Sequence, residues 1–360
     1  MKKIGIMTTG GDCSGLNTAI YGIVIGAAKR GWATYGILDG TDGLVGATPN
    51  MVRITPDTLP PEQMPVAGSI LRNGNVGATN NFERAVQSGK LPQFTKQLKK
   101  NLAAAKLDAL ILIGGNGSIS LAWNTRDIYS DLQLICIPKT IDMDIPLTDR
   151  TIGFDTAVSQ LTGFCDDLML TARSHHRWFV VQSMGRNCGA LALTAGVSSG
   201  ATAILIPEIK FDIDKLVTHI KNAPTDYGII MVSEGVRLRG HSGDAATMIS
   251  RKLTAAGIAN RTAFPEHIQR AGRTTPTDRI LAISMANAAL DAIENNETYV
   301  MTALQNGEIT TVGLDKVVSA GKPERDPNID GLMISNAMID DDNPLLIASG
   351  DMGIYIGETK

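Results

Sequence analysis

Short apolar runs alternate along this chain with longer stretches in which apolar residues recur every three to four positions. Lys3–Thr8 reads as a first strand ending at Gly10-Gly11, and Leu16–Lys29 follows with helical spacing through Leu16, Ala19, Ile20, Ile23 and Ala27. The same reading predicts strands over residues 34–38, 108–113, 134–138, 178–183, 203–206 and 228–233. A helix is expected from about Ser118 and another over residues 156–172. Strands that are apolar throughout are buried on both faces, and their alternation with helices implies parallel sheets covered on each side. Residues 55–65 hold four of the fifteen prolines and read as a surface excursion. Residues 323–330 and 340–343 are polar and loop-like.

Composition narrows the function classes. The 360 residues are 43% hydrophobic and 19% charged, enough apolar material for buried cores and too much for intrinsic disorder. At roughly 150 residues per domain, two lobes are expected. Glycine supplies 37 positions without a three-residue period, which excludes collagen. A formal net charge of −3 provides no global positive field for nucleic acid or an acidic membrane. The apolar stretch after Met1-Lys2-Lys3 is too short for a signal peptide, and no run reaches the ~18 residues of a membrane span. Cys13, Cys136, Cys165 and Cys188 lie far apart without a CxxC pair, so reduced thiols in a cytoplasm are expected rather than zinc or disulfides.

Three clusters stand at the carboxyl ends of expected strands, where open α/β sheets bind ligands. They are Gly10-Gly11-Asp12-Cys13-Ser14-Gly15, Gly114-Gly115-Asn116-Gly117-Ser118 and Pro138-Lys139-Thr140-Ile141-Asp142-Met143-Asp144. A glycine-rich turn that opens a helix lets backbone N–H groups approach an anion, and the helix dipole favours negative charge there. Two spaced carboxylates beside such a turn suit a metal ion or a proton acceptor. Neither GxxxxGK[ST] nor GxGxxG occurs, so the phosphate site is of another kind. The run His267-Ile268-Gln269-Arg270 adds an imidazole, an amide and a guanidinium within four residues.

These motifs, with MGRNCG at 184–189, SEGVR at 233–237, PEHIQRAG at 265–272 and DRILA at 278–282, resemble the phosphofructokinase family over nearly the whole chain. The resemblance implies an α/β fold of two Rossmann-like lobes with mainly parallel sheets. A phosphoryl-donor lobe would comprise residues 1–140 with part of the C-terminal region, and a sugar-phosphate lobe about 141–310. It further implies a cytoplasmic homotetramer or homodimer that transfers a phosphoryl group from ATP or pyrophosphate to the 1-hydroxyl of fructose 6-phosphate with Mg2+. Neither nucleic acid nor membrane is an expected partner. By this resemblance Asp142 is the catalytic base, with Thr140 and Arg186 beside it. Asp144, Met184, Glu234, His267 and Arg270 would hold the sugar phosphate, and Arg177 and Arg261 would reach it from a neighbouring subunit. Gly11, Arg72, Asn75, Asn116, Gly117, Ser118 and Lys139 would line the donor site, with Asn116, Asp142 and Asp144 about the metal.

The donor side departs from the family pattern. Gly117 matches ATP users and Lys139 matches the lysine usual in pyrophosphate users. Asn116 replaces a metal-associated aspartate with a weaker, uncharged ligand. Asn75 stands in place of an arginine, Met143 in place of an asparagine, and Leu121 where a small residue is common. Gly117 favours ATP. Tyr21, Ile25 and Met169 replace the arginines of the bacterial effector site, so no response to ADP or phosphoenolpyruvate is expected there. The alternatives are a kinase for another sugar phosphate, such as sedoheptulose 7-phosphate, and a catalytically weak sugar-phosphate-binding regulatory paralogue.

Overall fold

The computed structural model describes residues 1–74, 91–237, 243–321, 324–325, 333–334, 339 and 342–358. In chain order its main elements begin with β1 (Lys3–Thr8), α1 (Leu16–Lys29), β2 (Ala33–Ile37), α2 (Asp42–Val45) and β3 (Met51–Ile54). Next come α3 (Leu91–Ala105), β4 (Ala109–Gly114), α4 (Asn116–Asn124), β5 (Gln133–Pro138) and α5 (Phe154–Ser174). Then follow β6 (Trp178–Ser183), α6 (Ala190–Ser198), β7 (Ala203–Leu205), α7 (Ile213–Lys221), β8 (Gly228–Ser233), α8 (Ala245–Ala255) and β9 (Asn260–Ala263). The chain continues with α9 (Pro276–Glu294), β10 (Val300–Gln305), β11 (Glu308–Gly313), α10 (Leu314–Ala320) and α11 (Pro344–Asp351). The expected strands occur with ends within a residue or so of their sequence limits, and the helix expected from Ser118 starts at Asn116.

Two compact units divide these elements. The first comprises residues 1–140, 145–155 and 270–321, and the second 141–144, 156–269 and 322–360. The expected limit of 141–310 for the second lobe is therefore corrected: the segment 270–321 belongs to the first unit, and the second unit ends with the C-terminal segment. The reason is topological. Strands β10 and β11 extend the first sheet beyond β5, and α9 packs along α1, where Gly22 allows the close approach of Ala286.

The first sheet has the order β11-β10-β5-β4-β1-β2-β3. Its five inner strands are parallel, while β3 and β11 run antiparallel at the edges. Strand β4 is buried along its whole length, as its uninterrupted ALILIG sequence demands. One face holds a core in which Leu110, Leu112, Leu134 and Cys136 meet Leu98, Leu102, Ile119 and Met301. The second sheet, β7-β8-β6-β9, is wholly parallel. Its core joins Val180, Leu205, Ile230 and Val232 to Leu216, Ile220, Ile249 and Leu253 from α7 and α8. Beyond β7 the C-terminal segment adds a bridge between Ala203 and Tyr355. Helices α7 and α9 start on side-chain caps: Asp212 accepts from Asp214 N and Lys215 N before α7, and Thr275 accepts from Asp278 N before α9.

All four cysteines are free and buried. Burial pushes the Cys13, Cys136 and Cys165 thiols up to about 12, and carries Cys188 well above the ordinary thiol value. Among the described residues no helix is long and apolar enough to cross a membrane.

Candidate active site

In the first unit the chain leaves β1 through α1 to β2 on one side, then returns to β4 on the other side of β1. The turns after β1 and β4 thus flank a topological switch point, the crevice where open parallel sheets take their ligands. Gly15 ends the first turn at φ 95°, and the second turn opens α4 with Asn116 at its first position. The first backbone N–H groups of both helices have no intrahelical acceptor and suit an anion.

Side chains from distant parts of the sequence converge behind these turns. The Lys139 ammonium, at the end of β5, donates to the Gly11 carbonyl, although the residue is only 2% exposed. A Cβ placed on Gly10 would lie 3.4 Å from Ser118 Oγ and 3.6 Å from Lys139 Nζ, so these three positions are neighbours. Asn73 Nδ2 donates to Gly10 O at 3.0 Å, and Arg270 Nη1 donates to Asp12 O at 3.0 Å. Two cations therefore bracket the Gly10–Asp12 turn. The segment after Arg270 is fastened along the same turn: Ser14 Oγ donates to Gly272 O at 2.9 Å, and Gly15 N to Thr274 Oγ1 at 3.2 Å. Sequence reasoning missed Gly272 and Thr274 because they lie some 260 residues from the turn.

Gly117 is exposed in α4. Arg72, at φ 59°, points its guanidinium to Asp39 Oδ1 at 3.6 Å. Asn75 lies outside the described residues. Thr140 belongs to this unit, where its N–H donates to Ile152 O at 3.2 Å and its carbonyl accepts from Thr151 Oγ1 at 2.8 Å.

The second unit presents its residues at the carboxyl end of its own sheet. The Asp142 carboxylate is 8% exposed, and Arg186 Nε lies 3.8 Å from Asp142 Oδ2. Arg186 follows β6 in a turn of unusual shape, with Gly185 at φ 132° and Arg186 itself at φ 53°. A Cβ on Gly185 would meet Cys188 O at 2.4 Å, so only glycine fits. Glu234, just after β8, accepts through Oε1 from both Gly185 N at 3.0 Å and Arg186 N at 2.7 Å. Met184 N donates to Gln269 Oε1 at 3.0 Å. Met143 also takes a positive φ, 57°, between the two aspartates. Non-glycine residues in this region carry strain that surrounding contacts must hold in place.

His267 sits exposed in the short 3-10 turn Glu266–Arg270, whereas Gln269 is buried. Arg177 precedes β6 and Arg261 pairs with Phe179 near the start of that strand. They stand at the opposite end of the second sheet from Met184, Arg186 and Glu234, a separation of about 15–20 Å for a strand of this length.

The donor chemistry about Asp142 suits a hard cation: Asp142 and Asp144 each bury a carboxylate oxygen. Magnesium is commonly held by one or two carboxylates together with substrate phosphates rather than by a complete protein cage. Among the described residues no group of three or more His, Cys, Asp or Glu stands poised for a metal. Asn116, the third expected ligand, belongs to the first unit.

Comparison with known proteins gives one family. The family model described as Phosphofructokinase matches residues 3–293. A Nostoc relative named ATP-dependent 6-phosphofructokinase 1 is 33% identical over 376 residues, covering 99% of both chains. A Staphylococcus aureus ATP-dependent 6-phosphofructokinase is 34% identical over 326 residues, covering 88% of this chain and 94% of its own. Among solved structures, the phosphofructokinase of Saccharomyces cerevisiae superposes with a TM-score of 0.80 at 25% identity, covering 89% of this chain and 46% of the yeast chain. A pyrophosphate-dependent phosphofructokinase from Marinobacter aquaeolei gives 0.76 at 18% identity, with 99% and 89% coverage, a likeness of fold.

Proposed function

The chain belongs to the phosphofructokinase family, and on that premise we propose that it transfers a phosphoryl group from ATP to the 1-hydroxyl of fructose 6-phosphate. The observation that carries the reading is the nearly buried Asp142 carboxylate with the Arg186 guanidinium 3.8 Å away. In the reaction Asp142 accepts the hydroxyl proton while the sugar oxygen bonds to the donor's terminal phosphorus. The bond from that phosphorus to the bridging oxygen breaks, and the electron pair leaves with the shortened donor. Arg186 balances charge on the transferring group, in keeping with phosphoryl transfer as positioning and electrostatic stabilisation.

Asp142 and Asp144 would hold Mg2+ together with the donor phosphates; when bound, the ion neutralises charge on the phosphoryl oxygens. The Gly10–Asp12 turn, the start of α4 and Lys139 would receive the donor. Gly117 and the similarity to ATP-dependent relatives favour ATP over pyrophosphate, and Lys139 is the feature that favours pyrophosphate. His267 and Glu234 are assigned to the sugar, Arg270 to its phosphate. Arg177 and Arg261 are assigned to the sugar phosphate of a second copy, because they stand at the far end of their sheet from Arg186. That assignment implies an assembly of at least two copies.

A paired assay with ATP·Mg and pyrophosphate·Mg, each with fructose 6-phosphate and with sedoheptulose 7-phosphate, tests this reading. Turnover with ATP and fructose 6-phosphate is expected. Turnover with pyrophosphate alone reassigns the donor, and product in no arm leaves the regulatory paralogue.

A further inference from the structure

The turn after β6 carries Arg186, and beyond Gly185 and a local bond from Cys188 N to Gly185 O at 2.9 Å its shape is held by side chains from elsewhere in the chain. Gly185 and Arg186 are consecutive residues at positive φ, 132° and 53°. Three successive backbone N–H groups of this turn point to side-chain oxygens: Met184 N to Gln269, then Gly185 N and Arg186 N to Glu234. Gln269 is itself held, since its Nε2 donates to Glu266 O at 3.0 Å and the residue is 1% exposed. Glu234 stands just after β8, where its own N–H donates to Ser183 O at 2.9 Å.

We propose that Gln269 is a positioning residue which, with Glu234, clamps the Met184–Arg186 turn in its left-handed shape and so presents the Arg186 guanidinium to Asp142. The proposal rests on the assignment of Asp142 and Arg186 made above. The Arg186 side chain is 76% exposed, so packing does not fix it, and the backbone sets the direction in which it leaves the chain. An amide at position 269 suits the clamp because it accepts from Met184 N and donates to Glu266 O at once. Glu234 thereby has a role beyond sugar contact: one carboxylate oxygen orders two backbone amides through charge-assisted bonds. Consecutive amides fixed by the buried Gln269 and the half-buried Glu234 hold a charged group in place without needing that group to be buried.

Hydrogen exchange and steady-state kinetics test the clamp together. In the wild-type chain, amides 184–186 are expected to exchange at least about tenfold more slowly than those of an open loop, as hydrogen-bonded amides do. Exchange at open-loop rates overturns the clamp whatever the substrate proves to be. Gln269→Met keeps the side-chain length and removes the acceptor. It should speed exchange at 184–186 and lower kcat by about 10–100-fold, the scale expected of a misplaced reacting group. KM for fructose 6-phosphate, with ATP·Mg as donor, should stay within about threefold, the sign of a loss confined to the transition state.

Gln269→Glu keeps an oxygen for Met184 N but loses the amide that donates to Glu266 O, so it should recover part of kcat relative to Gln269→Met. A raised KM with kcat intact would mark Gln269 as a substrate contact, and equal loss in the Met and Glu variants would remove the acceptor from the explanation; either refutes the proposal. If Gln269→Met does not fold, the wild-type exchange pattern and Gln269→Glu still decide. If no substrate pair supports turnover, the proposed function fails while the exchange result stands separately.

Discussion

Lys139 and Gly11, 128 residues apart, are joined by a hydrogen bond from a buried ammonium to a turn carbonyl. The bond ties the end of β5 to the turn after β1, across the intervening strand β4. It also keeps a positive charge beneath the Gly10–Asp12 turn, where the proposed donor phosphates would lie.

Lys139→Met should therefore act on both stability and donor use. Loss of a charge-assisted hydrogen bond costs about 1.5–3 kcal/mol. Urea unfolding should show a loss of that order, and kcat/KM for the donor should fall more than tenfold while the sugar KM changes little. A variant with wild-type unfolding and donor kinetics would refute the role.

Asp142→Asn should nearly abolish turnover. General-base catalysis contributes about 10²–10⁴-fold, and the amide cannot accept the proton. Sugar-phosphate binding, followed by calorimetry, should persist. Turnover within a factor of three of wild type would remove Asp142 from the chemistry.

Two glycine substitutions should separate fold from function. At Gly185 a Cβ would meet backbone, Cys188 O at 2.4 Å, in a conformation at φ 132°. Gly185→Ala should cost stability by roughly 2 kcal/mol or more. At Gly11 the Cβ would meet Arg270 Nη1 at 2.6 Å, the far end of a movable side chain. Gly11→Ala should leave thermal unfolding within a few degrees of wild type yet weaken donor binding. A Gly11→Ala chain as unstable as Gly185→Ala would contradict this distinction.

The thiols give a pH test with a definite sign. Burial raises Cys13, Cys136 and Cys165 from 9.0 to about 12, with Lys139 opposing the rise at Cys13. An unfolded chain ionises its thiols above about pH 9, whereas the folded chain keeps them protonated. Their contribution to stability is complete below pH 9 and is lost as pH rises towards 12. The urea midpoint should fall between pH 8 and pH 10.5, and less steeply in Cys136→Ala. Native chains at pH 8 should resist a thiol reagent that labels all four cysteines in urea.

ADP or phosphoenolpyruvate should leave the apparent sugar affinity unchanged, because Tyr21, Ile25 and Met169 offer no guanidinium to an anion. Initial-rate curves with and without each compound check this. A tenfold shift, within the range of allosteric coupling, would show that another site serves them.

Periodicity exposed the strands that are short and largely apolar, as at 109–114 before Gly115, but not β3, β9, β10 and β11, whose sequences MVRI, NRTA, VMTALQ and EITTVG mix polar with apolar residues. It marked the turns at Gly10 and Gly114 for the same local reason. Long-range closure was not legible: nothing in residues 300–313 announces that they pair beyond β5. Gln269 lay inside a noted motif, but only the fold shows its amide turned to Met184 N rather than towards solvent like His267. The separation of Arg177 from Arg186 could in principle be read from the six residues of β6, since residues before and after one strand stand at its opposite ends. The strain at Met143 and Arg186 left no mark, because positive φ is signalled by glycine and these positions are not glycine.

The interleaving of the two units has a consequence for synthesis. All four strands of the second sheet have left the ribosome by residue 263, but β10 and β11, at residues 300–313, follow them. Until they emerge, β5 is the outermost available strand of the first sheet, and α1 lacks its partner α9. Neither unit can therefore close early: the first waits for residues 270–321, and the second waits longer still, for the segment that carries Tyr355 to its bridge with Ala203, so domain-by-domain maturation on the nascent chain is delayed for both.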